Sequence, residues 1–368
     1  MQQATWLDSA VAVRQGEGLD TARLEAYLRE HLGVSGPLTL GQFPGGYSNL
    51  TYLLSVAEAG RVREMVLRRP PFGAHIRGGH DMQREYRILS ALIDTYGKVP
   101  RPILFCEDES IIGAPFYLME RVTGIILRNR LPEGLVLDPG LMQSICFALI
   151  DALAGLHALD YHAAGLSELG RPEGYTARQV DGWTKRYRDA LTPDCPDFEP
   201  VAAWLAANAP SQSEAALIHN DFRYDNAILD PADLTHIIAI LDWEMATIGD
   251  PLTDVGTTLA YWAEPEDPQV LRRFGLTSHP GNLDRQQFLE RYAARSGRDV
   301  SDFLFYYVYG SFKNMVIALQ IYARFRQGLT KDPRFAGLIQ IVRAYHDLIG
   351  RALERGRISR LFQRQGWL

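Results

Sequence analysis

Between residues 20 and 32 (DTARLEAYLREHL) apolar side chains recur at Leu24, Tyr27, Leu28 and Leu32. That three-and-four spacing is one face of a helix, and Gly33 supplies a stop. The period then shortens. Residues 38–43, 50–56 and 63–69 are short runs rich in apolar or β-branched residues, parted by the turn signals Pro44-Gly45-Gly46 and Glu58-Ala59-Gly60. They predict three strands. Residues 81–96 return to helical spacing, with Met82, Tyr86, Leu89 and Ile93 on one face, and 103–107 and 114–120 predict two more strands. Beyond Val122-Thr123-Gly124 the pattern turns mainly helical. A long helix is expected over 139–159, then a polar, aromatic segment over 165–200, and short apolar strands at 216–218, 227–229 and 237–241. Three or four helices follow, among them 301–327 and 333–355.

At 368 residues the chain exceeds what one hydrophobic core usually serves. The reading is therefore an α+β chain in two lobes. A helical extension occupies 1–33, a small β-rich lobe 34–120, and a larger, mainly helical lobe 121–368. Composition narrows the function classes. With 46% hydrophobic and 22% charged residues the chain is globular in type. The net charge of −6, with no long run of either sign, argues against a nucleic-acid partner. No run of about 18 uncharged apolar residues occurs, so no membrane span is expected, and the start has no signal-peptide pattern. Cys106, Cys146 and Cys195 are odd in number and far apart. They fit neither a metal site nor a disulfide framework, and the expectation is a reduced, cytoplasmic protein.

Chemistry concentrates in His219-Asn220-Asp221-Phe222-Arg223-Tyr224-Asp225-Asn226, an H-x-D-x-x-x-x-N run framed by the apolar strands ALI and AIL. Phosphoryl transfer to a hydroxyl needs a carboxylate that accepts or orients the proton, and an oxygen ligand that holds Mg²⁺ against the phosphates. Asp221 suits the first task and Asn226 the second. Sixteen residues on, the apolar run Ile240-Leu241 delivers Asp242 at its end, a natural second ligand for a cation that takes one or two carboxylates plus phosphate oxygens.

These motifs resemble the aminoglycoside phosphotransferase/choline kinase family, relatives of the protein kinases, over about residues 34 to 327. The resemblance implies a two-lobed protein-kinase-like fold whose small lobe carries one regulatory-type helix, and a Mg²⁺- and ATP-dependent kinase of a small-molecule hydroxyl. The family's G-D-P-x-x-D run is Gly249-Asp250-Pro251-Leu252-Thr253-Asp254 here. Asp254 reads as the tie between the loop and the following helix, and Asp250 as a helix cap. Gly45, Gly46, Ser48 and Asn49 stand where a hairpin would lie over the ATP phosphates. Met65-Val66-Leu67-Arg68 replaces the V-A-I-K of protein kinases, so the phosphate-binding cation is an arginine. Arg68 and Arg69 both remain open for that role. Glu85 is the matching anion, and Glu120 and Val122 fall in the hinge whose backbone would bind the adenine edge.

Residues 170–188 (GRPEGYTARQVDGWTKRYR) resemble the kinase-like domains associated with acyl-CoA dehydrogenases. That subgroup implies a hydroxyacyl-CoA acceptor, a 4-hydroxyacyl group first. Five basic residues against three acidic ones over 171–189 suit an anionic CoA thioester, with Arg178 and Arg186 as its contacts. An aminoglycoside or amino-alcohol kinase is the alternative. A nucleotide-binding scaffold without catalysis is disfavoured by the full set Arg68, Glu85, Asp221, Asn226 and Asp242. Other features read as structural. His157 and His162 are five apart and form no helical metal pair, and His157 packs. The aromatic run Phe303, Phe305, Tyr306, Tyr307, Tyr309 and Phe312 packs the large lobe, one or two of its members being open to line the acceptor pocket. The tail RGRISRLFQRQ reads as a solvated terminal helix.

Overall fold

The computed structural model describes residues 6–44, 49–58, 60–72, 81–211, 214–330 and 332–363. In chain order the elements are α1 (Thr21–Leu32), β1 (Leu38–Gln42), β2 (Leu50–Glu58), β3 (Arg61–Arg69), α2 (Met82–Leu92), β4 (Pro102–Cys106), β5 (Phe116–Glu120), α3 (Pro139–His157), α4 (Tyr175–Asp189), α5 (Glu199–Asn208), β6 (Ala216–Ile218), β7 (Ala227–Leu229), β8 (Ile237–Ile240), β9 (Thr247–Gly249), α6 (Pro251–Tyr261), α7 (Gln269–Arg272), α8 (Arg285–Ser296), α9 (Leu304–Arg326) and α10 (Leu338–Arg355). They fall into two compact units. The first holds residues 1–125 with 228–232 and 238–244, and the second holds 126–227, 233–237 and 245–368.

The first unit is built on a five-stranded antiparallel sheet in the order β1-β2-β3-β5-β4. Period-two alternation sends Leu50, Tyr52, Leu54 and Val56 of β2 inward, where Leu24 and Leu28 of α1 complete the core. α1 starts on the Asp20 side chain, which accepts from Arg23 N, and stops at left-handed Gly33. α2 starts on Asp81 and buries Met82, Glu85, Ile88, Leu89 and Leu92, so Glu85 is the charged member of an otherwise apolar face. It ends at Leu92, four residues before the expected end at 96. Residues 93–96 form a turn in which the Tyr96 and Gly97 N–H groups both reach Leu92 O. Residues 228–232 and 238–244 pack into this unit through a backbone pair between Ile125 and Leu229 (3.0 and 2.8 Å). The close approach requires glycine beside it, since a Cβ on Gly124 would lie 2.5 Å from Leu229 O.

In the second unit α6 and α9 cross where two glycines face each other. A Cβ on Gly256 would meet Tyr306 O at 2.1 Å, and one on Gly310 would meet Gly256 O at 2.2 Å. Phe303, Phe305, Tyr306, Tyr307, Tyr309 and Phe312 are all buried. α3 is 19 residues long and apolar enough to cross a bilayer by length and composition alone. It buries ten of its side chains against the unit, and its Asp151 pairs with Arg291 on α8 (2.8 Å), as in a packed core helix. The polar segment 165–200 contains α4 and the start of α5, five helices rather than three or four follow β9 among the described residues, and the three-residue β9 pairs with β6. The tail corrects its expectation as a solvated helix. α10 ends at left-handed Gly356, and residues 357–363 are non-helical. Within this described part Ile358 and Leu361 are buried, and Glu264 accepts from Ser359 Oγ and Arg360 N.

Candidate active site

In the first unit, β3 and α2 present one buried cation to three carboxylates. The register pairs Arg68 with Thr51 on β2 and Tyr117 on β5. Its guanidinium lies 3.2 Å from Glu85 Oε1, donates to Asp242 Oδ1 at 3.0 Å, and stands 3.8 Å from Glu244 Oε2. Burial alone would lower the Arg68 pKa, but Glu85, Asp242 and Glu244 outweigh it and hold the group well above its ordinary value. For Glu85, burial raises the pKa and Arg68 opposes the rise. Arg69 takes a different course, donating to Ile112 O at 2.7 Å and lying over the Phe72 ring at 3.8 Å. Of the two arginines, Arg68 is the one paired with Glu85.

The Asp242-Trp243-Glu244 segment is fastened to the same group. Trp243 N donates to Glu85 Oε1 (3.2 Å), Asn49 Nδ2 donates to Glu244 Oε2 (2.6 Å), and Arg84 Nη1 donates to Glu244 O (3.2 Å). Sequence reasoning missed Glu244 and Arg84. The available signal was a second acidic residue two places after Asp242. Asp242 itself is left-handed, with φ 67°. An aspartate tolerates that region through its short polar side chain, and such positions gather at functional sites. Glu120 ends β5 with its N–H on Arg101 O, and Val122 lies two residues beyond, outside any element. Gly45, Gly46 and Ser48 lie outside the described residues.

In the second unit, β6 runs into the H-x-D turn. Asn226 donates from Nδ2 to Asp221 O (2.8 Å) and Asp221 Oδ2 (2.9 Å), so the five-residue step does bring the two side chains together. With its nitrogen so engaged, Asn226 has its amide oxygen to offer a cation. Arg223 Nε stands 3.5 Å from Asp221 Oδ1, and its guanidinium lies 4.9 Å over Tyr261. Beneath the turn, Asp254 on α6 accepts from His219 N (2.6 Å) and Asn220 N (2.8 Å), the tie the sequence suggested. Burial pushes the Asp254 carboxyl up, but His157, then His219, outweigh it and hold it below its ordinary value. Burial also pushes the His157 pKa down. A neutral His157 donates from Nε2 to Asp254 (3.1 Å), and its Nδ1 accepts from the Tyr292 hydroxyl (2.8 Å). Asp250 caps α6, accepting from Leu252 N.

Segment 170–188 folds largely as α4. Gly174 at its start is left-handed and has no side chain to cap the helix, and Arg178 donates to the carbonyls of Arg171 and Glu173. Lys185 pairs with Asp189 and Arg188 with Glu199, while exposed Arg186 stacks on Trp183 at 4.8 Å.

Within each unit the oxygen donors are of the kind Mg²⁺ takes: carboxylates gather around Arg68 in the first, and the Asn226 amide oxygen lies beside Asp221 in the second. Among the described residues no three His, Cys, Asp or Glu side chains gather into a metal-binding group.

A family model described as "Phosphotransferase enzyme family" matches residues 39–289. Mouse acyl-CoA dehydrogenase family member 10 is 36% identical over 318 residues, covering 85% of this chain and 29% of its own. The human acyl-CoA dehydrogenase family member 11 is 34% identical over 332 residues, covering 87% and 42%. The chain thus spans less than half the length of these curated relatives. A Ralstonia eutropha protein described as an aminoglycoside phosphotransferase superposes with a TM-score of 0.74 at 31% identity, over 89% of this chain and 96% of that one. Choline kinase from Cryptosporidium parvum, at 13% identity, shares the fold with a TM-score of 0.61 over 94% and 100%. The chain belongs to the phosphotransferase enzyme family.

Proposed function

We propose that the enzyme moves the γ-phosphoryl group of ATP to the hydroxyl of a hydroxyacyl-CoA, a 4-hydroxyacyl group being the first to test. Asp221 takes the hydroxyl proton as the acceptor oxygen bonds to phosphorus and the β–γ bridge breaks, releasing ADP. Asn226 and Asp242 would hold Mg²⁺, which supplies neutralisation of phosphate charge. Support for ATP comes from neighbours of the fold that have been solved with ADP and with ATP. Arg68, fixed by Glu85, is the cation for the phosphates, and its fork suits their oxygens.

The observation that carries the acceptor is the likeness to proteins named acyl-CoA dehydrogenase family members, at 33–36% identity over 84–87% of this chain. Such a likeness suits an acceptor that is itself an acyl-CoA. The thioester offers phosphates remote from the reacting hydroxyl, and binding there can be used to orient that hydroxyl against Asp221. Steady-state kinetics with a 4-hydroxyacyl-CoA and its free acid test this. The thioester should show the higher kcat/KM, and Arg186→Glu should reduce it more for the thioester than for the acid. Equal kcat/KM for the two removes CoA recognition. Transfer to kanamycin or choline with none to any hydroxyacyl-CoA moves the acceptor to the antibiotic or amino-alcohol class.

A further inference from the structure

α9 carries one lysine in its buried middle, Lys313, which is 2% exposed. Its ammonium makes two hydrogen bonds, to Asn220 O and Asn220 Oδ1, each 3.1 Å. Asn220 separates His219 from Asp221 and is left-handed (φ 67°), one of three such non-glycine residues among those described. A side chain in that region costs about 1–2 kcal/mol, so something must hold it there. Three contacts do so. Asn220 N donates to Asp254, its Nδ2 donates to Met245 O (3.1 Å), and the carbonyl and side-chain oxygens both accept from Lys313. Trp183 of α4 covers the lysine, its ring 5.9 Å from Nζ, with Arg186 stacked on the same ring.

We propose that Lys313 is a positioning residue for phosphoryl transfer: its ammonium holds Asn220 in the left-handed turn that presents Asp221 to the acceptor. A buried ammonium is costly unless it is paired and hydrogen-bonded. Burial lowers its pKa from 10.5 to about 8, while Asp254 on α6 and Asp221 in the loop pull it back up. α4 sets Tyr175 and Arg186 around the same Asn220 and Trp183. The carboxylates of Asp221 and Asp254 favour the charged form, so removing the Asp221 charge must lower the lysine's pKa.

The inference rests on Asp221 being the base, and the test separates the two. The chain's lysines are Lys98, Lys185, Lys313 and Lys331, so selective ¹³Cε labelling gives a spectrum simple enough to titrate. The Lys313 signal, assigned by its loss in Lys313→Arg, should titrate near pH 8, with its midpoint lower in Asp221→Asn. This readout needs no acceptor. With 4-hydroxypentanoyl-CoA as acceptor, Lys313→Met should lower kcat by about 10²-fold, the scale of a small misplacement of a reacting group, and leave KM for ATP unchanged. Asn220→Gly placed on Lys313→Met should then raise kcat, because glycine takes the left-handed turn unaided. Wild-type kcat in Lys313→Met, or no recovery from the added glycine, overturns the proposal. Should Lys313→Met fail to fold, an unchanged Lys313 midpoint in Asp221→Asn overturns it as well.

Discussion

Arg68 and Arg69 are adjacent on one strand and meet opposite fates, one in a ring of carboxylates and the other against a carbonyl and a phenyl ring. Sequence left the choice open, because a strand sends alternate side chains to opposite faces and a one-residue slip exchanges them. Asp221 and Asn226 were readable because their contact is local, five residues apart. Lys313 was not, since its partner lies 93 residues away, although a lone lysine inside the apolar run YYVYGSFKNMVIAL was a signal. Asp242 gives the sharpest test at this scale. Asp242→Ala removes one of three carboxylates around Arg68 and leaves Glu85 to pair with it, so the fold should survive. A charge-assisted contact is worth about 1.5–3 kcal/mol, and each tenfold in affinity is about 1.4 kcal/mol. Calorimetry should therefore show Mg²⁺-ATP affinity falling by about tenfold or more. Unchanged affinity would remove Asp242 from the metal.

At the scale of elements, α6 and α9 each bring a group to the H-x-D turn, Asp254 from one and Lys313 from the other. Their approach depends on the Gly256–Gly310 crossing, where added methyl groups would strike backbone oxygens. Backbone cannot swing aside as a flexible side chain does, so Gly310→Ala should cost at least the ~1–3 kcal/mol typical of overpacking. The urea midpoint would report it, and an unchanged midpoint would mean the crossing is looser than drawn. The glycines were visible in the sequence, but that they face each other was not, because nothing local encodes which helices cross. Boundaries were lost for similar reasons. α2 stops at Leu92 although Ile93 keeps the helical spacing, and the charged tail looks solvated until Glu264, far off in sequence, accepts from the Ser359 hydroxyl and the Arg360 N–H. By contrast α1 was legible to its ends, since Asp20 and Gly33 carry its caps locally.

For the molecule as a whole, the family was legible from short stretches because its motifs fall on a few neighbouring residues: Asp221 and Asn226 in one loop, Asp242 just after one strand, and Arg68 on another. The proposed acceptor was not legible in the same way, because the basic residues of α4 on which that reading leaned are largely committed within the fold. Arg178 holds the start of the helix, and Lys185 and Arg188 are paired. The base is the centre of the account, and phosphoryl transfer from Mg²⁺-ATP by the wild type and by Asp221→Asn, followed side by side with a 4-hydroxyacyl-CoA, tests it most directly. Asp221→Asn should retain ATP affinity and lose turnover by about 10²–10⁴-fold, the usual contribution of general-base help. Wild-type turnover in Asp221→Asn would contradict it.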